Sequence, residues 1–151
     1  VKKPKTYDVY GWFDGCCEPR NPGGHASWGA LVKVGKQQVY AKGGYCGVGP
    51  DMSNNVAEFS AFIAVAEECM KHPGVVLIRG DSKLVVNLVN GQWKSHGGFY
   101  VPYYEKAKVL WKDLKSRARL EWIGRDENSV CDYLSKKVLK DRGVTFRIQP
   151  E

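Results

Sequence analysis

The chain has 151 residues, 43% of them hydrophobic, which is enough for one sizeable core and too little for two ordinary domains. Its longest apolar runs are only a few residues, and the opening lysine-rich stretch leads into Thr6-Tyr7-Asp8, so neither a bilayer span nor a secretory leader is expected. The net charge of +7 sits mostly after residue 91, where 13 Lys/Arg face 8 Asp/Glu; this fits a polyanionic partner, and a merely solubilising surface fits it equally.

Tyr7–Phe13 mixes aromatic and β-branched residues without clean alternation, as in a strand covered on both faces. The stretches 25–34 and 38–45 read as two further strands, joined at Gly35-Lys36 by a hairpin turn. Ser53 is placed to cap a helix running to about Met70, with Val56, Phe59, Ile63, Ala66 and Met70 on its apolar face and Glu67, Glu68 and Lys71 on its solvated one. His72-Pro73-Gly74 ends that helix. Val75–Ile78 is a short continuous apolar run, the mark of a buried central strand, and it stops at Arg79-Gly80-Asp81. Ser82 caps a short helix with Leu84, Val85, Leu88 and Val89 on one face, closed by Asn90-Gly91. A loop over 92–100 follows, then a helix opened by Pro102 with Tyr103, Ala107, Leu110 and Leu114 inward. Leu120–Ile123 makes a last strand, and Asn128 caps a final helix bearing Val130, Leu134 and Val138. The order is βββαβααβα, an α/β domain spanning 1–151, built on a mixed five-stranded sheet.

Three acidic residues are out of place in this pattern. On a helical wheel, Glu58 projects into the arc of Phe62, Val65 and Cys69, where a carboxylate has to be paired, ligated or neutralised; a structural ion pair is the plainest explanation for it alone. Asp14 and Asp81 each follow a strand that reads as buried, placing them at strand ends where open α/β sheets build sites, although each also suits a turn or cap. Asp132 lies in the first turn of the last helix, where the helix dipole favours a negative charge. Carboxylates crowded into one cleft repel each other, and hard divalent cations are the usual means of keeping them ionised together.

With these residues in view, nearly the whole chain resembles ribonuclease H of type 1. Four motifs occur in that family's order and approximate spacing: strand-Asp14-Gly15-Cys16 with Asn21-Pro22-Gly23-Gly24, Ser53-Asn54-Asn55-x-x-Glu58, strand-Gly80-Asp81-Ser82, and Glu127-Asn128-x-x-Cys131-Asp132. The resemblance implies the ribonuclease H-like fold with helices on both faces of the sheet. It also implies a four-acid site of Asp14, Glu58, Asp81 and Asp132 binding two Mg²⁺, with Mn²⁺ as a substitute. The implied activity is hydrolysis of the RNA strand of an RNA/DNA hybrid by two-metal in-line attack, leaving 5′-phosphate and 3′-hydroxyl ends. By position, the resemblance also places Cys17, Asn21, Ser53, Asn54 and Asn55 near the substrate, with the asparagines facing a minor groove that displays 2′-hydroxyls. Ser82, Lys83, Trp93 and Arg125 complete the expected substrate contacts, Lys83 through a phosphate and Trp93 along the path of the DNA strand.

The chain departs from the family in three places. The loop Trp122–Glu127 lacks the histidine that many members carry, leaving Arg125 as its conspicuous side chain; Lys83 stands where a polar amide is common; and 92–100 is too short for the lysine-rich protrusion of some members. Competing readings are the ribonuclease H domain of a reverse-transcriptase polyprotein, a DNA nuclease or recombinase of the same fold, a silent hybrid-binding module, and thiol-redox chemistry at Cys16-Cys17. Five cysteines without a Cys-x-x-Cys pair instead read as reduced thiols in a cytosol-like compartment; a cytoplasmic location, a monomer and no membrane contact are the expectations.

Overall fold

The computed structural model describes residues 6–148, so the lysine-rich start that bears on a leader lies outside the described residues. Five strands, β1 (Val9–Glu18), β2 (His25–Val34), β3 (Gln37–Val48), β4 (Val76–Gly80) and β5 (Ala118–Trp122), form one sheet in the order β3-β2-β1-β4-β5. The first three are antiparallel neighbours, whereas β4 runs parallel to both β1 and β5, so the sheet is mixed. Helices α1 (Asn54–Met70), α2 (Lys83–Val89), α3 (Val101–Leu114) and α4 (Ser129–Asp141) complete the expected order.

Alternation along β1 sends its two rows of side chains to opposite helices. Phe13 packs edge-on against Phe62 of α1, while Gly29 of β2, the partner of Asp14, meets Cys131 and Leu134 of α4. Helices thus cover both faces. The main core joins Val9, Phe13, Val32, Ile78 and Leu120 of the sheet to Phe59, Phe62, Leu88, Trp111 and Leu114 of the first three helices. A satellite cluster of Cys16, Leu139 and Phe146 lies under the segment that follows α4.

Several details differ from the sequence pattern. Strand β1 continues five residues past Phe13 because Asp14–Glu18 go on pairing with β2, so Asp14 lies inside a strand. Its pairing with β4, however, ends at Phe13–Gly80, which leaves Asp14 just past the end of β4. On α1, Glu68 is buried beneath Lys71 and His72, its two ion-pair partners, and Met70 is exposed rather than part of the apolar face. On α4 the inward row is Cys131, Ser135 and Leu139, Leu134 and Val138 are half-buried, and Val130 faces solvent. Small residues face inward there because α4 rides close over glycines: any side chain at Gly29 or Gly43 would strike its backbone. Asn128 occupies the N-cap position without a capping bond; its side chain reaches across to β1 instead.

Candidate active site

Four elements deliver the acids to one cleft of about 710 Å³ at the C-terminal edge of β4. β1 supplies Asp14, the second turn of α1 supplies Glu58, the first turn of α4 supplies Asp132, and the turn after β4 supplies Asp81. The start of α1 is fixed by Ser53, whose Oγ accepts from Val56 N at 3.1 Å, and the start of α2 by Ser82, whose Oγ accepts from Val85 N at 3.2 Å. Asn21, in the turn between β1 and β2, accepts at Oδ1 from Asn54 N at 2.8 Å and so ties that turn to α1. The approach of α1 to β1 depends on Gly15, since a methyl group there would run into the backbone of Ala57 and Glu58.

Ligating oxygens of Asp14, Glu58 and Asp81 all lie within 4.8 Å of one another. Glu58 is 3% exposed and Asp14 6%, and no cation forms an ion pair with Glu58 among the described residues; its Oε1 has no hydrogen-bond partner at all. Among the described residues, Glu58 therefore has no structural ion pair. Burial, reinforced by Asp81, pushes the Asp14 carboxyl up to about 8, and burial reinforced by Asp14 and Asp81 lifts Glu58 well above the usual carboxylate range. Asp81 is also raised by burial, with Asp14 and Arg125 pulling the other way.

This set fits a divalent cation. Clustered carboxylate oxygens, one of them orphaned and buried, are hard donors that repel each other until positive charge is supplied. Asp132 stands apart: its side chain is 45% exposed, and Oδ2 pairs with Lys136 Nζ, one turn along α4, at 3.1 Å.

The expected substrate contacts divide into two groups. Cys17, Asn21, Asn54, Ser82 and Arg125 line the cleft with the acids. Ser53 is committed to its cap, and Asn55 is exposed beside the cleft without lining it. Lys83 lies over the ring of Trp122 at 5.1 Å, whose indole N–H donates to the Asp81 carbonyl at 3.2 Å, so the pair braces the Asp81 turn from outside. Trp93 is an exposed loop residue that does not line the cleft. Thiol chemistry is disfavoured, since the cysteines are free and burial pushes Cys16 up to about 12.

Sequence reasoning missed the cleft's other cations. Lys136 carries one signal, its i+4 spacing from Asp132. Arg147 carries none: its guanidinium donates to both Glu18 carboxylate oxygens and to the Cys17 carbonyl, from 129 residues further along the chain. Phe146 and Ile148, on either side of it in the chain, also line the cleft.

The sequence model of the family described as reverse transcriptase-like matches residues 12–138. A ribonuclease H of Rhodopseudomonas palustris is 30% identical over 148 residues, covering 89% of this chain and 88% of its own length. The bifunctional protein Rv2228c of Mycobacterium tuberculosis is 29% identical over 79% of this chain, which spans only 32% of that protein; the uncharacterised protein YpeP of Bacillus subtilis is 30% identical over 61% of this chain, across 42% of its length. The chain thus spans less than half the length of these two relatives. The solved N-terminal ribonuclease H domain of Rv2228c superposes with a TM-score of 0.78 at 26% identity, covering 91% of this chain and 97% of that one. The LC11 ribonuclease H1, solved with an RNA/DNA hybrid, shares the fold at 21% identity with a TM-score of 0.77, over 89% of this chain and 98% of that one.

Proposed function

Since the chain belongs to the ribonuclease H family, we propose that it is an endonuclease cutting the RNA strand of RNA/DNA hybrids, with Asp14, Glu58, Asp81 and Asp132 as its catalytic acids and two Mg²⁺ as cofactors. The observation that carries this reading is the close cluster of buried Asp14 and Glu58 with half-buried Asp81, in a cleft that also holds Asp132, in a chain 30% identical to a ribonuclease H along most of both lengths. When bound, the two ions supply a water of lowered pKa for in-line attack on phosphorus and stabilise the leaving 3′ oxygen.

The protein's own residues set the stage for that chemistry. Asp14, Glu58 and Asp81 present oxygens on one side, two of them from nearly water-free positions, while Asp132 faces the open side of the cleft. Arg125, Lys136 and Arg147 put three cations around the acids, where they meet backbone phosphates. Asn21 and Asn54, linked to each other and facing the cleft, supply amides for the 2′-hydroxyls that mark the RNA strand. The greater length of two relatives favours one further reading, in which the same chemistry is one activity of a longer polypeptide.

End-labelled hybrid, duplex RNA, duplex DNA and single strands, each offered with Mg²⁺ and then with chelator, test the proposal. Only the hybrid is cut, only with metal, and Asp14→Asn lowers the rate on the order of 10³-fold, about 4 kcal/mol in the barrier. An uncut hybrid, or an Asp14→Asn protein as active as the parent, refutes it.

A further inference from the structure

Asn128 is 2% exposed and its side chain does not cap the helix that it precedes. Its Nδ2 donates to the carbonyl of Phe13 at 2.8 Å, across 115 residues of sequence. The Phe13 carbonyl can only accept, so the amide group's orientation is settled: Nδ2 faces the strand, and Oδ1 is left buried without a hydrogen-bond partner. An asparagine that forgoes its cap and buries an unpaired oxygen is a poor choice for helix stability alone.

What it joins explains the arrangement. Phe13 immediately precedes Asp14 and is the last β1 residue paired with β4. On its other side, Asn128 offers its backbone carbonyl to the amide of Asp132 at 3.1 Å. A short path of two hydrogen bonds and one peptide unit therefore links the backbone of Asp132 to that of Asp14. The two side chains have no such direct link, because Asp132 is not within the 4.8 Å group formed by Asp14, Glu58 and Asp81. Among the described residues, one other buried side-chain hydrogen bond pins α4 to the sheet, Ser27 Oγ donating to Ser135 O at 2.7 Å, and it lands on β2 rather than on the strand that carries Asp14.

We propose that Asn128 is a positioning residue that sets how far Asp132 stands from the other three acids, and so sets the affinity of the cation shared with Asp132. This rests on the metal-dependent nuclease reading above and assigns a determinant within the same site. Asn128 touches neither substrate nor metal; it acts by holding the first turn of α4 against the strand that carries Asp14.

Calorimetric titration of the whole chain with Mn²⁺, without nucleic acid, tests this alongside melting curves and the Mg²⁺ concentration for half-maximal cleavage. Asn128→Ser retains a residue suited to a helix start but cannot span to Phe13, Asn128→Ala serves if the serine variant folds poorly, and Ser27→Ala removes the other tie as a control. The parent binds two Mn²⁺. In Asn128→Ser the weaker site loses about tenfold in affinity while the tighter one is unchanged, and the Mg²⁺ requirement rises by a similar factor, the range set by a lost supporting contact at a metal site. Ser27→Ala lowers the melting temperature without changing either site. The inference is overturned if the weaker site is unchanged in both folded Asn128 variants, if Ser27→Ala weakens it equally, or if the parent binds only one Mn²⁺. A parent that binds two Mn²⁺ but leaves the hybrid uncut refutes the nuclease reading while leaving the binding comparison intact.

Discussion

The two sides of the acid cleft are built on opposite terms. On the side of β1, α1 and β4, Asp14, Glu58 and Asp81 are packed together with little water and no lysine or arginine ion pair among the described residues, and the proton affinity of each carboxyl rises. On the α4 side, Asp132 is half-exposed and already paired with Lys136. The first side stores electrostatic repulsion that a bound cation relieves, whereas the second holds a carboxylate in balance before any cation arrives. A cation bound between the two sides would thus add stability chiefly through the first, while the exposed side would exchange one cationic partner for another.

Replacing Glu58 by glutamine breaks this contrast most sharply. Cleavage falls on the order of 10³-fold, about 4 kcal/mol in the barrier, yet the metal-free protein melts higher at pH 8 because a buried carboxyl that resists ionisation is replaced by a neutral amide. At this chain length each kcal/mol gained raises the melting temperature by about 2–4 °C, which calorimetry resolves.

The second expected effect needs no mutation. Asp14 and Glu58 hold protons more tightly folded than unfolded, so the folded state binds more protons from the unfolded value of Asp14 at 3.8 up to its folded value of about 8. Without metal, stability therefore falls as pH rises through that window, the reverse of an ordinary ion-paired carboxylate. Melting curves from pH 4 to 8 with chelator should slope downward, and Mg²⁺ should flatten them at the alkaline end. A metal-free protein that gains stability across the range would show that the buried side is not under strain.

The smallest change is on the exposed side. Lys136→Met removes a half-exposed pair of the kind worth about 0–1 kcal/mol, so the melting temperature barely moves. Mn²⁺ titration should instead show the site shared with Asp132 tightening by roughly 2–5-fold, within that same energy range, because a competing ammonium is gone. Weaker binding would mean that Lys136 orients Asp132 rather than competing for it.

Much of the buried side was legible in the sequence, and much of the exposed side was not. Ser53 and Ser82 announced their helices because an N-cap is a local contact three residues long, and both caps are made as expected. Glu58 stood out because a charge in an apolar arc violates a short-range period. Asp14 was harder to place: Asp-Gly reads as a turn, but pairing with β2 carries the strand on to Glu18, and pairing is a long-range fact. The inward face of α4 was misread because its packing surface contains the glycines of β2 and β3, which draw Cys131 and Ser135 inward in place of larger apolar residues. Lys136 left a faint trace in its spacing. The reach of Asn128 to Phe13 and of Arg147 to Glu18 left none, since those partners lie more than 100 positions away.

That separation also orders events in time. Residues 14, 58 and 81 leave the ribosome before residue 132 is made, and the bond from Asn128 to Phe13 spans 115 positions. Contacts of such long range are slow to close and form only after the intervening chain has collapsed. A nascent chain can therefore gather the three clustered acids while the fourth is still missing, and the finished cleft is a late product of folding.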